Sequence, residues 1–174
     1  MRKILTKVIK SEKKLKLLSE SLQKGGEKEI KATIEDLRKD EPFEGAIGLL
    51  ASLYDSTDNK IVAQTIENFF NDLKDTSARQ EIIDEIKNDF SSKTKKMIVS
   101  SCWQSGLDYS EYAQEFAELF IASELDMAIE CMTVIEESID RIERYDRQRI
   151  KEIIDRAPEA LSFLADELSF LLEA

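Results

Sequence analysis

A chain of 174 residues with 42% hydrophobic content is long enough to bury its own core without disulfides or metal, which excludes intrinsic disorder. With 5 Gly, 2 Pro and abundant Ala, Leu, Ile, Glu and Lys, it has a helix former's composition, and an all-α fold is predicted. The net charge is −11 and there is no histidine, so Ser-His-Asp triads, Cys-His dyads, H-E-x-x-H zinc sites and Glu-x-x-His di-iron sets are ruled out.

Apolar residues recur at spacings of three and four from end to end, and ten helices are predicted in order. The first is a basic amphipathic stretch around Leu5 to Leu22, closed by Gly25-Gly26. Ile30, Ile34 and Leu37 begin a second helix that ends near Asp40, and Pro42 suits the first turn of a third with Ala46, Ile47, Leu49, Leu50 and Leu53. Asp58 is the expected N-cap of a fourth carrying Ile61 to Leu73, and Asp75 to Ser77 open a fifth running to Phe90. Ser91 and Ser92 open a sixth, ended by Ser105-Gly106, and Asp108 and Ser110 start a seventh. The longest is expected from Glu124 to Tyr145, supported by acid-before-base pairs Glu137 to Arg141, Asp140 to Arg144 and Glu143 to Arg147. A short helix around Ile150 to Ile154 follows, and Pro158 starts a last one with Leu161, Leu164, Leu168, Leu171 and Leu172 turned inward.

Charge is unevenly spread. Residues 1–24 hold eight Lys/Arg against Glu12 and Glu20, a net of +6, leaving −17 on the rest. Such a body repels phosphate backbones, so nucleic acid is not the expected partner of the main surface. The apolar stripe of Ile4, Leu5, Val8, Ile9, Leu15, Leu18 and Leu22 predicts that the basic helix docks as a polar-backed cap rather than reaching outward. Cys102 and Cys131 lie in apolar helical surroundings without C-x-x-C spacing, which reads as two buried, reduced thiols. No apolar run approaches a membrane span and no signal-peptide core is present, so a cytoplasmic location without membrane insertion is expected.

Ile30, Ile61, Met97 and Met127 begin the apolar faces of every second helix, which is repeat spacing. One helix pair cannot bury its own apolar side, so each must stack on the next. Leu49-Leu50-x-x-Leu53-x-Asp55 followed by Asp58-x-x-Ile61-Val62 resembles the HEAT repeat, loosely over residues 42–138. Ala63 stands where that family's Arg would be, and later pairs match only in period. The resemblance implies a short right-handed α-solenoid of stacked antiparallel helix pairs, one domain over 1–174, with residues 1–24 and 158–174 as capping helices. It also implies protein binding along a concave face.

The turn from Cys102 to Tyr112 holds the one Trp and two of the four Tyr, and such rigid aromatic groups favour binding hot spots. Trp103, Asp108, Tyr109 and Tyr112 are therefore the predicted protein-binding residues, against the alternative that Trp103 is core and that Asp108 and Ser110 are helix caps. Acidic side chains such as Glu111, Glu115 and Glu118 share solvated helix faces, without the apolar cleft that acid–base catalysis needs. No D-x-[DN]-x-[DN]-G calcium loop occurs. The expectation is an interaction scaffold with no catalytic, cofactor or metal residues, binding a basic or amphipathic protein. The alternatives are a HEAT-like enzyme acting on nucleic acid, using Trp103 and Asp108, and an oligomerising structural subunit.

Overall fold

The computed structural model describes residues 2–39 and 43–173, with side chains from Glu12 onward in the first helix. Among the described residues there are ten α-helices and no strand. Contacts gather into two compact units, residues 1–98 and 99–174.

The first unit contains α1 (Arg2–Lys24), α2 (Glu27–Leu37), α3 (Ala46–Ser56), α4 (Lys60–Asn71) and α5 (Ala78–Lys87). Helix α6 (Ser92–Gln104) carries the boundary between units within its length. α1 packs on α2 and α3, α2 on α4, and α3 on both α4 and α5. The core is built from the apolar faces that the periodicity marks, with Ile34, Leu50, Ile66, Phe70 and Ile82 essentially excluded from water. Each such side chain contributes about 1.5–3 kcal/mol. Leu18 and Leu22 of α1 are buried, so this part of the basic helix docks. The side chains of Ile4, Leu5, Val8 and Ile9 lie outside those described, as do Asp40 and Pro42.

Helix starts in this unit are held by side chains both local and distant. The fourth helix is capped one residue later than expected: Asn59 Oδ1, not Asp58, accepts from the amides of Ile61 at 2.9 Å and Val62 at 3.2 Å. The fifth ends at Lys87, short of Phe90. α3 begins after Gly45, whose φ of +89° places it in the left-handed region where a side chain is strained. A Cβ there would also lie 2.8 Å from Leu15 Cδ1 on α1. The exposed amides that follow are taken by Glu81 of α5: Oε1 accepts from Gly45 at 3.1 Å, Ile47 at 3.0 Å and Gly48 at 3.3 Å. Burial pushes the Glu81 carboxyl above the ordinary carboxylate range, against the lowering effect of these three bonds.

The second unit contains α7 (Ala113–Ile121), α8 (Leu125–Ser138), α9 (Arg144–Ile154) and α10 (Ser162–Glu173). α7 packs on α8 and α9, and α10 on α8 and α9. Phe116, Phe120, Ile135, Ile150, Ile154 and Leu168 form the core, together with Tyr109. The long helix expected from Glu124 to Tyr145 ends early, and the short helix expected around Ile150 to Ile154 begins earlier, at Arg144. α8 stops at Ser138, a 3-10 turn covers Ile139–Arg141, and Ile142 is extended with φ −79° and ψ 123°. Ile142 is buried, and Arg147 donates from Nε to its carbonyl at 3.1 Å and from Nη2 to that of Ile139 at 2.8 Å. Burying Ile142 and satisfying the freed carbonyls outweighs the weak helix pairing inferred from sequence. Arg141 meets the Asp108 carboxylate at 3.1 Å and donates from Nη2 to the Glu137 backbone carbonyl at 2.6 Å.

Candidate interaction site around Trp103 and α8

The turn after α6 is shaped by Gly106, whose φ of +70° reverses the chain, and its amide donates to the Trp103 carbonyl at 3.2 Å. Asp108 then acts as a local cap: its Oδ1 accepts from the Ser110 amide at 2.9 Å, opening the 3-10 turn Ser110–Tyr112 ahead of α7. The same oxygen meets Arg141 Nε. Partial burial raises the Asp108 carboxyl, but bonds from Ser110 and the Arg141 guanidinium outweigh it and hold the group below the usual range.

The four residues expected at the binding surface divide into two kinds. Trp103 is 37% exposed, and its Nε1 donates to Glu130 Oε2 on α8 at 2.9 Å. Tyr112 is half-buried. Tyr109 is only 1% exposed and lies edge-on to Phe116 with ring centroids 5.9 Å apart, so it supports the turn from within the core. The sequence cannot distinguish these cases, because the 3-10 turn between Tyr109 and α7 sets the facing of both tyrosines. Asp108 is half-exposed but committed to Ser110 and Arg141. A small pocket of about 140 Å³ lies here between Cys102, Trp103, Tyr109, Val134 and Arg141. At its edge the Trp103 indole is engaged by Glu130 and the Arg141 guanidinium by Asp108.

Both cysteines are buried and unbridged. Burial pushes the Cys131 thiol up to about 12 and Cys102 higher still, leaving neither as a thiolate near neutral pH. No family model, curated protein or solved structure matches the chain. Among the described residues, no group of three His, Cys, Asp or Glu is placed to hold a metal ion, and no helix is long and apolar enough to cross a membrane.

Two features of the surface were not singled out by sequence. Residues 1–98 are nearly neutral, with nineteen basic against eighteen acidic side chains, whereas residues 99–174 hold six basic against eighteen acidic. Among the described residues, six of the eight large apolar side chains left exposed also belong to the second unit: Trp103, Leu125, Ile129, Tyr145, Phe163 and Phe170. Charge counts by segment could have shown the first. The second needs the fold, because Phe163 and Phe170 sit in a helix whose Leu periodicity already accounts for a buried face.

Proposed function

We propose that this protein is a non-enzymatic protein-binding scaffold built as a short HEAT-like α-solenoid, with a partner contact at the Trp103 turn. The observation that carries the binding reading is the concentration of exposed aromatic and aliphatic side chains in the acidic second unit. Exposed apolar area rimmed by charge marks interaction surfaces. Trp103 and Tyr112 supply accessible aromatic area, while Tyr109 and Asp108 brace the turn.

Stacking of successive helix pairs is supported by the packing of alternate helices, α2 on α4, α3 on α5, α7 on α9 and α8 on α10. It is also supported by bonds that recur about one repeat apart: Asn59 to Glu27, Arg38 to Asp72, Asp55 to Ser91, Gln114 to Asp146 and Arg156 to Glu118. The starts of α2, α4, α6 and α8 fall roughly 33 residues apart, within the range of known helical repeats. Nucleic-acid chemistry is disfavoured, because Asp108, the carboxylate that reading would use with Trp103, is already paired with Arg141 and the surrounding unit is strongly acidic.

The test is affinity capture from a lysate of the source cells, with intact protein, protein lacking residues 1–24, and the Trp103→Ala/Tyr112→Ala double variant as baits. A partner held by the first two and lost by the third, with the variant's melting temperature unchanged, is expected. If intact bait captures no protein reproducibly, the scaffold reading fails.

A further inference from the structure

α8 and α10 lie side by side and together contain no Lys or Arg, but carry Asp126, Glu130, Glu136, Glu137, Asp166, Glu167 and Glu173, of which Glu173 pairs with Lys151 of α9. The stripe of α10 that turns away from the core reads Phe163, Asp166, Glu167, Phe170, a spacing of one helix face. Both phenylalanines are bare, at 78% and 73% exposed. They stand about 10 Å apart along the helix, with the two carboxylates between them. On α8 the exposed Ile129 adjoins Glu130, which holds the indole of Trp103. α8 packs on α10, and burial, with the charges of Glu167 on α10 and of neighbouring Glu137, keeps the Glu136 carboxyl above its ordinary range. The exposed or half-buried groups of the packed pair, Ile129 and Glu136 on α8 and Phe163, Glu167 and Phe170 on α10, with Trp103 held against α8 by Glu130, thus set apolar and acidic side chains among one another.

From this arrangement we infer that the α8–α10 face is a docking site for a basic amphipathic helix of a partner protein, one that presents Lys or Arg between large apolar residues. The inference rests on the scaffold reading and gives it a place and a partner chemistry. Apolar knobs on the incoming helix would cover Phe163, Phe170 and Ile129, while its cations would sit among Glu130, Glu136, Asp166 and Glu167. A helix of roughly 14 residues, about 20 Å long, is enough to cross both α8 and α10. A second copy of the same face is a poor occupant, since two such faces without a cation would bring carboxylates against carboxylates. The basic helices that such a site accepts are amphipathic in the same sense, with charges at i and i+3 or i+4 beside an apolar stripe.

Trp103 is the one tryptophan of the chain, so its fluorescence reports on this face directly. An 18-residue synthetic helix of Leu and Lys in amphipathic order, and a Leu and Glu peptide of the same pattern, would be titrated into the full-length protein. The Leu–Lys peptide is expected to shift Trp103 emission and to bind more weakly as salt rises, and the Leu–Glu peptide to do neither. Phe163→Ser/Phe170→Ser leaves the charge unchanged and is expected to weaken Leu–Lys binding at least tenfold. Ile61→Ser/Tyr145→Ser, at exposed apolar positions off this face, is expected to leave it unaltered. Circular dichroism of each variant checks that the fold is kept. Failure of the Leu–Lys peptide to bind at low salt overturns the inference. So does binding that leaves Trp103 emission unchanged, or binding that is equal in the Phe variant, because either would be charge attraction elsewhere. A Trp103 shift that depends on protein concentration alone, together with dimer in sedimentation, would assign the face to a second copy and overturn it as well. If any of these occurs while lysate capture succeeds, the scaffold reading stands and the place is wrong.

Discussion

Asp55, at the end of α3, accepts hydrogen bonds on one oxygen from the Ser91 amide at 3.0 Å and the Ser91 hydroxyl at 2.6 Å. The Thr94 hydroxyl donates to the same oxygen at 2.7 Å, so one carboxylate closes the end of α3 and opens α6. The side-chain bonds from Ser91 and Thr94, with the backbone bond from Ser91, hold the Asp55 carboxyl below its ordinary range. A group depressed in this way contributes stability above its unfolded pKa and loses it as pH falls through the folded value. Asp55→Ala should therefore lower the melting temperature at pH 7, with the difference from wild type shrinking under acid conditions. A difference that persists undiminished at low pH, measured by thermal melts across pH, would mean the carboxylate charge is not what matters.

Glu81 works with the opposite sign. Its folded-state pKa is raised, so its contribution is fully present below the unfolded carboxyl pKa, roughly 4, and declines as pH rises through the folded value. Glu81→Gln keeps an acceptor for the three amides without the buried charge. It should match wild type at pH 4 and exceed it in urea stability at pH 7. Glu81→Ala leaves the amides unpaired and should cost about 1–2 kcal/mol at either pH.

Arg147 replaces two lost helical bonds at the break between α8 and α9. Arg147→Ala should destabilise by about 1.5–3 kcal/mol, the range for hydrogen bonds to a charged donor. Arg147→Lys should recover only part, since an ammonium lacks the planar fork that reaches both carbonyls. Equal urea midpoints for the Lys variant and wild type would show that charge alone suffices.

The buried thiols make a kinetic prediction. Ellman's reagent should label Cys102 and Cys131 slowly in native protein and at once in urea, because burial both blocks access and disfavours the thiolate. Fast labelling of either thiol in folded protein would point to a local opening in the second unit.

Docking of the basic helix, which packs on α2 and α3, rests on the buried Leu18 and Leu22. Leu22→Ala should cost about 2–4 kcal/mol, as for other buried leucines. Leu17→Ala, at an exposed position of the same turn, should change denaturation by less than about 0.5 kcal/mol.

All ten helices were legible from sequence, as was the inward face of most, because a 3.6-residue apolar period and the local breakers Gly25, Gly26 and Gly106 act over a few residues. Gly45 is different in kind: its left-handed φ fits the sequence, but its lack of a side chain also answers to Leu15, thirty residues earlier. The break at Ile142, the capping of α3 by Glu81 and the inward turn of Tyr109 were decided by partners distant in sequence or by a one-residue change of helix phase. The same is true of the face on α8 and α10. Composition already holds its carboxylates and phenylalanines, but only packing determines which helix faces are spent on the core and which side chains remain to meet another molecule.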